Sequence, residues 1–339
     1  MATRKEVAAL AGVSEATVSR VLNGVGPIKE STRKRVREAA EKLGYQLNAV
    51  AASFARGKSG NIGVVLPHVP KVHLFSTYYF SEMLSGIGEA ARASGQGLLL
   101  LYRDPLKPFD YVSLFATQRV DACLVLGASA ASHEAEAIAR MAEEQLPFCV
   151  VDQRYDDPRI SFVCADHAEG SISATKHLLG IGCRRVGFLN GPPHYSNSAD
   201  RQEGYRLALK EAGLEPDASL QFEGNYSRSS GYKAAEAVDR QLDQLDGLVC
   251  ANDRMAVGLI QGLKERGRRI PEELAIVGCD NSDIADWFDP SLTSVAVPFY
   301  EMGKLAAERL MESMKEEKAS RGVIREVLRT SLVVRQTSR

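Results

Sequence analysis

Val13–Asn23 reads VSEATVSRVLN, and the whole chain can be organised around this stretch. Ser14 offers a side-chain oxygen to the first free N–H groups of a helix. Val18, Val21 and Leu22 then fall on one helical face, and Glu15, Ala16, Ser19 and Arg20 on the other. Upstream, Thr3-Arg-Lys-Glu6 has the spacing of a capping box, and Val7, Leu10 and Ala11 supply an apolar stripe for a preceding helix. Gly12 ends that helix, and Val13 points into the small core. Downstream, a third helix is expected over Glu30–Leu43, with Val36, Ala39, Ala40 and Leu43 inward. Two short helices joined by a glycine turn and braced by a third make an all-α helix-turn-helix head.

The polar face suits DNA. Arg20 can make a bidentate contact to guanine O6 and N7, worth ~1–3 kcal/mol of discrimination, and Ala16 can touch a thymine methyl. Thr17, Ser19 and Asn23 carry short groups suited to phosphate oxygens, which set register rather than sequence. Glu15 admits two readings: acceptor for a cytosine amino group, or neutraliser of Arg20. Residues 1–60 hold eleven Lys and Arg against five Asp and Glu, whereas the remainder holds 31 against 38. A basic head on an acidic body is what a polyanion-binding head would show, although a solvated basic helix gives the same count.

From Asn61 the pattern changes. Ile62–Leu66, Gly97–Tyr102, Ala122–Leu126, Phe148–Val151, Arg185–Leu189, Leu248–Ala251 and Leu274–Gly278 are short apolar runs separated by helical segments such as Tyr79–Ala93. Buried strands alternating with helices predict parallel, doubly wound sheets, here two in tandem with a cleft between lobes. Asp152 and Gln153, Asn252 and Asp253, and Asp280 and Asn281 each follow a strand, where they would either hold a polar ligand or cap the next helix.

Several functions are disfavoured. No phosphate-binding glycine fingerprint follows a strand, and Gly86-Ile-Gly88 lies in a helical pattern. Six histidines and six scattered cysteines show no metal-ligand spacing, and the cysteines read as reduced core residues. No nucleophile–base constellation suggests an enzyme, and no cofactor or metal is expected. No apolar run of membrane-spanning length or secretory h-region occurs, so a cytoplasmic protein is expected.

ATRKEVAALAGVSEATVSRVLNG closely resembles the N-terminus of the LacI/GalR family of bacterial repressors. Matches continue through GPIKESTRKRVREAAEKLGY, the NxxA stretch Asn48–Ala51, NDRMAVG and PEELAIVGCDNSDIADWFDPSLTSV, covering nearly the whole chain. The resemblance implies a head over 1–46 and a hinge helix and linker over 47–60. It implies a periplasmic-binding-protein-like body over 61–339, with lobe 1 about 61–163 and 296–325 and lobe 2 about 164–295 and 326–339. The DNA-facing set it implies is Thr3, Ser14, Glu15, Ala16, Thr17, Ser19, Arg20, Asn23, Asn48, Ala51, Phe54 and Arg56. Phe54 stands at the lever position that wedges between base pairs, where relatives usually carry Leu. For the pocket it implies Arg201 and, across from it, Asp280, with Asp152, Tyr195, Asn197 and Asn252. Tyr226 would stack on the ligand, and Tyr79 and Phe80 would stand at the mouth. His167 departs from the family's Asn after Asp166.

These expectations combine into a homodimeric repressor. Two heads would read a pseudo-palindromic double-stranded operator, and a small effector, a sugar or sugar derivative, would bind between the lobes and set the hinge. The segment Tyr79–Gly95 is a candidate part of the dimer face, or a plain core helix. The alternative is a sugar-binding protein of the transport type, which shares the body but needs no head.

Overall fold

The computed structural model describes residues 2–46, 58–69 and 73–339. The chain divides into two compact units, residues 1–61 with 113–121, and residues 62–112 with 122–339.

In the small unit, α1 (Arg4–Ala11) begins at the expected capping box: Glu6 N donates to Thr3 Oγ1 at 3.3 Å and Thr3 N to Glu6 Oε2 at 2.7 Å. Gly12 ends it in the left-handed region at φ 64°, which a Cβ would strain. Ser14 caps α2 (Glu15–Leu22) by accepting from Thr17 N at 3.1 Å. α3 (Glu30–Lys42) starts at Lys29 without a side-chain cap. Val7, Ala8, Ala11, Val18, Val21, Val36, Ala39 and Ala40 form the core, with Val13, Leu22 and Leu43 packed on its edge. Leu10 was expected inside but is 48% exposed. The buried stripe of α1 is Val7–Ala8–Ala11, because α2 and α3 both pack on that side. In the same unit, both carboxylate oxygens of Asp121 accept backbone N–H groups, from Ser59 and from Gly60, each at 2.7 Å.

The large unit holds two six-stranded sheets. The first is built from β1 (Asn61–Pro67), β2 (Gly97–Arg103), β3 (Ala122–Leu126), β4 (Phe148–Val151), β5 (Phe162–Ala165) and β11 (Arg325–Leu328), in the order β2-β1-β3-β4-β5-β11. The second is built from β6 (Val186–Asn190), β7 (Gln221–Glu223), β8 (Gly247–Cys250), β9 (Ala275–Asp280), β10 (Thr293–Ala296) and β12 (Ser331–Val333), in the order β7-β6-β8-β9-β10-β12. From β1 through β11 in the first sheet and from β7 through β10 in the second, neighbours pair in parallel, whereas β12 joins β10 antiparallel, so an antiparallel edge strand qualifies the expectation of wholly parallel sheets. In each sheet the order reverses beside the first strand, which opens a crevice at the carboxyl ends of β1 and β3, and of β6 and β8.

The helices are α4 (Tyr78–Ala93), α5 (Tyr111–Ala116), α6 (Ser132–Glu143), α7 (His167–Gly180), α8 (Ser196–Glu211), α9 (Arg228–Asp239), α10 (Asp253–Lys264), α11 (Asp283–Trp287) and α12 (Phe299–Ser313). α4 packs on α12 with its buried face Met83, Gly86, Ile87, Ala90 and Ala91. The backbones touch there: a Cβ on Gly86 would lie 2.0 Å from Tyr300 O, and one on Gly303 2.2 Å from Met83 O. That face of α4 is therefore core. None of the described helices is long and apolar enough to cross a membrane.

The chain passes between the sheets at Asp166, at Val297–Pro298 and at Arg329–Thr330. The first lobe continues beyond the expected limits of 163 and 325, because β5 runs to Ala165 and β11 pairs in parallel with it through Leu328. Asp166 N donates to Leu328 O at 2.8 Å and Thr330 Oγ1 to Asp166 O at 3.1 Å, so two crossings lie side by side.

Candidate functional site

On the head, Glu15, Ala16 and Arg20 are exposed along α2, and Thr17, Ser19 and Asn23 are half-buried beside them. Glu15 pairs with Arg4 of α1 at 3.1 Å, and among the described residues Arg20 forms no ion pair. The acid therefore braces the first helix against the second and leaves Arg20 uncompensated. Three expected DNA-facing groups serve helix ends: Thr3 and Ser14 as caps, with Thr17 Oγ1 2.9 Å from Ser14 Oγ. Asn23 donates to Ser19 O at 2.8 Å and Ser19 Oγ at 3.3 Å. Asn48, Ala51, Phe54 and Arg56 lie outside the described residues.

The residues expected to face a ligand gather between the lobes. Asp152 ends β4 at φ 63° and is buried. Its Oδ1 accepts from His167 Nε2 at 2.6 Å and its Oδ2 from Asn197 Nδ2 at 2.8 Å. Asn197 Oδ1 accepts from the Tyr226 hydroxyl at 2.9 Å, and that hydroxyl accepts from Arg201 Nη1 at 3.2 Å and shares a short hydrogen bond with Ser198 Oγ. Donors thus run in one direction, from Arg201 through Tyr226 and Asn197 to Asp152. Burial raises the Asp152 carboxyl, yet His167, Arg201 and Asn197 outweigh it and hold the group below its ordinary value.

Arg201, on α8, is 4% exposed. Burial opposes its charge, but Cys279, Tyr226, Asp280 and Asp152 hold its pKa above the ordinary value. Its Nε has no partner among the described residues. Asp280 ends β9 at φ 115° and is 8% exposed. No described side chain or backbone N–H donates to its carboxylate. Burial first, and Asp253 next, push that carboxyl well above its ordinary value, with Arg201 opposing. The cleft therefore contains a buried guanidinium with a spare N–H and a buried carboxyl group without a partner among the described residues, a pattern complementary to a small polar molecule.

Aromatic walls complete it. The Tyr79 ring lies edge-on to Phe80 at 4.8 Å and to Phe299 at 5.0 Å, and Tyr195 is 6.0 Å from Tyr226. The Tyr226 ring, expected as a stacking surface, lies beneath Arg201 at 5.9 Å, with its residue at φ 64°. Gly191 makes room for it, since a Cβ there would lie 2.1 Å from the ring. Asn252 takes the capping alternative: Oδ1 accepts from Met255 N at 2.9 Å, and Nδ2 donates to Tyr226 O at 3.1 Å. Asp253 does not cap; it accepts from Ser282 N, Ser282 Oγ and Ser294 Oγ and ties down the turn after β9.

The sequence reading did not single out Ser198 or Phe299, and it noted His167 only as a departure. Beside the pocket the lobes are also bridged by Ser196 N to Gln153 Oε1 at 2.9 Å, Arg154 N to Ser196 Oγ at 3.0 Å and an Arg154–Asp200 ion pair. Short polar residues near strand ends would have marked these only after the two lobes were placed.

A helix-turn-helix head and a two-lobed body with a polar cleft define a DNA-binding regulator that answers to a small ligand. Residues 3–48 match the family model described as bacterial regulatory proteins, lacI family, and residues 175–338 match a periplasmic binding protein-like domain. The chain is 32% identical over 319 residues to the HTH-type transcriptional repressor PurR of Vibrio atlanticus, covering 94% of this chain and 93% of that one. It is 31% identical over 339 residues to the PurR repressor of Photobacterium profundum, covering 99% and 98%. Among solved structures, the lac repressor dimer bound to operator and an anti-inducer matches with a TM-score of 0.82 at 25% identity, covering 99% of each chain. A transcriptional regulator CelR–cellobiose complex matches at 0.75 and 29%, covering 99% of this chain and 100% of that one. The chain belongs to the lacI family of bacterial DNA-binding transcriptional repressors, whose operator binding is governed by small-molecule effectors. The relatives named here are regulators, not enzymes.

Proposed function

We propose that the chain works as a dimeric operator-binding repressor, with residues 1–46 as head, 47–60 as hinge and the remainder as effector body. The effector is a small, uncharged, polyhydroxylated molecule of the sugar class. The observation that carries this reading is the pairing of Arg201 and Asp280, both buried in the cleft and both with unused hydrogen-bonding capacity. A vicinal diol presents a donor and an acceptor together, and the rings of Tyr79 and Phe80 offer the apolar walls that a sugar's C–H face prefers. The bound cellobiose of the CelR structure is consistent with this reading.

A purine base is the second reading. The PurR relatives favour it, and a planar ring could also use the aromatic walls. Calorimetry with D-ribose, cellobiose, adenine and guanine separates the two. Binding of a sugar but no base supports the first; binding of a base alone replaces it. Self-association is supported by the edge strand β2, where Leu98, Leu100 and Tyr102 are exposed, followed by Leu106 at 86%. A two-fold dimer implies a pseudo-palindromic site. Selection of bound genomic fragments followed by fluorescence anisotropy tests the DNA role. Indifference to sequence would remove it, and Arg20→Ala should relax the preference at one base pair.

A further inference from the structure

His167 stands where the chain first passes from one lobe to the other, beside the crossing at Leu328–Thr330. It is buried, and its Nε2 meets Asp152 at 2.6 Å, the shorter of the two bonds to that carboxylate. A carboxylate that takes two donors has only acceptors to offer, so Nε2 carries the hydrogen. His167 Nδ1 is buried without a partner among the described residues. The ring therefore makes one directed polar contact, and that contact is to Asp152.

This placement has a consequence for the pocket. Asp152 is the end of the series of donors that runs from Arg201 through Tyr226 and Asn197. His167 holds one Asp152 oxygen and Asn197 the other, so the carboxylate's orientation is fixed from both sides, although each oxygen keeps a second lone pair. We propose that His167 is a positioning residue that orients Asp152 toward Asn197 and thereby aims Tyr226 and Arg201 at a bound molecule. The inference deepens the effector reading and rests on it.

Two variants of the full-length protein separate direction from bulk. His167→Phe keeps an aromatic ring and removes the donor. His167→Gln loses the ring and keeps an N–H donor at similar reach. Hydrogen exchange is followed by mass spectrometry on peptides spanning 152–155 and 196–201, with no ligand added. Loss of a buried donor to a carboxylate should speed local exchange about tenfold in His167→Phe. His167→Gln should stay within about twofold of the parent. Protection retained in His167→Phe, or equal loss in both variants, would overturn the proposal in favour of simple packing. Because no ligand is used, this result is independent of the calorimetry that tests the effector reading.

Discussion

Tyr226→Phe isolates the hydroxyl at the centre of the cleft. If Tyr226 mainly stacks on a ligand, the substitution keeps the ring and should be harmless. The geometry says otherwise. The hydroxyl donates to Asn197 Oδ1 at 2.9 Å, accepts from Arg201 Nη1 at 3.2 Å and bonds Ser198 Oγ. Ser198 can rotate its hydroxyl, but the Asn197 oxygen and the Arg201 N–H are each left without that partner. A buried polar group left unmade costs about 1–3 kcal/mol. Two such groups, with some relief from water in the cleft, give roughly 2–4 kcal/mol. For a body of this size that is a fall in Tm of about 4–16 °C. Urea unfolding or calorimetry of the full-length protein reads it, and a double-mutant cycle with Asn197→Ala should show coupling above about 0.5 kcal/mol. A loss below about 0.5 kcal/mol with additive behaviour would show that the hydroxyl is not the hub, and the reading of the pocket as a directed series would fall with it.

Asp280→Asn should abolish the effector response while raising thermal stability near neutral pH. Burial and Asp253 hold the Asp280 carboxyl above its unfolded value, so its contribution is complete below the unfolded pKa and is lost as pH rises through the folded one. The variant's melting temperature should therefore exceed the parent's by more at pH 8 than at pH 5; an unchanged difference contradicts the assignment. Glu15→Ala removes a half-exposed ion pair with Arg4, so stability should change by less than about 0.5 kcal/mol. Operator affinity measured by anisotropy should rise on all sequences alike, whereas a loss confined to one base pair would make Glu15 a cytosine reader. Asp121→Ala removes the acceptor of two backbone N–H groups at Ser59 and Gly60. Exchange over 58–61 should quicken and operator affinity fall, while the pocket's effector affinity stays level; a change in the pocket alone would refute this anchoring role.

Much of the molecule was legible in the chain. Capping box, glycine stop, Ser14 cap and apolar spacing placed α1–α3 because those signals act within a few residues. Continuous apolar runs such as Ala122–Leu126 marked buried central strands. The strands β7, β11 and β12 were not legible. β7 and β12 are three residues each, and β11 is half exposed, so little hydrophobic pattern marks them. Leu10 misled because helical spacing gives a stripe but not which side its neighbours occupy. Asn252 and Asp253 kept their alternatives open because Tyr226, Ser282 and Ser294, which hold them, lie 26 to 41 residues away in the chain.

By itself the sequence determined what local physics determines: a helix-turn-helix head, alternating strands and helices, a cleft at the carboxyl ends of strands, and the residue types that line it. Only the tertiary structure decided what each polar group is free to do. Asp152 and Asp280 look alike in the chain, each following an apolar strand. Folding surrounds the first with His167 and Asn197 and leaves the second without a donor. That difference depends on groups brought from distant segments, including one at a lobe crossing, and no local pattern specifies it. The same holds for Glu15 beside Val13–Asn23: its sequence neighbours suggested Arg20 as partner, and the packing of two helices gave it Arg4.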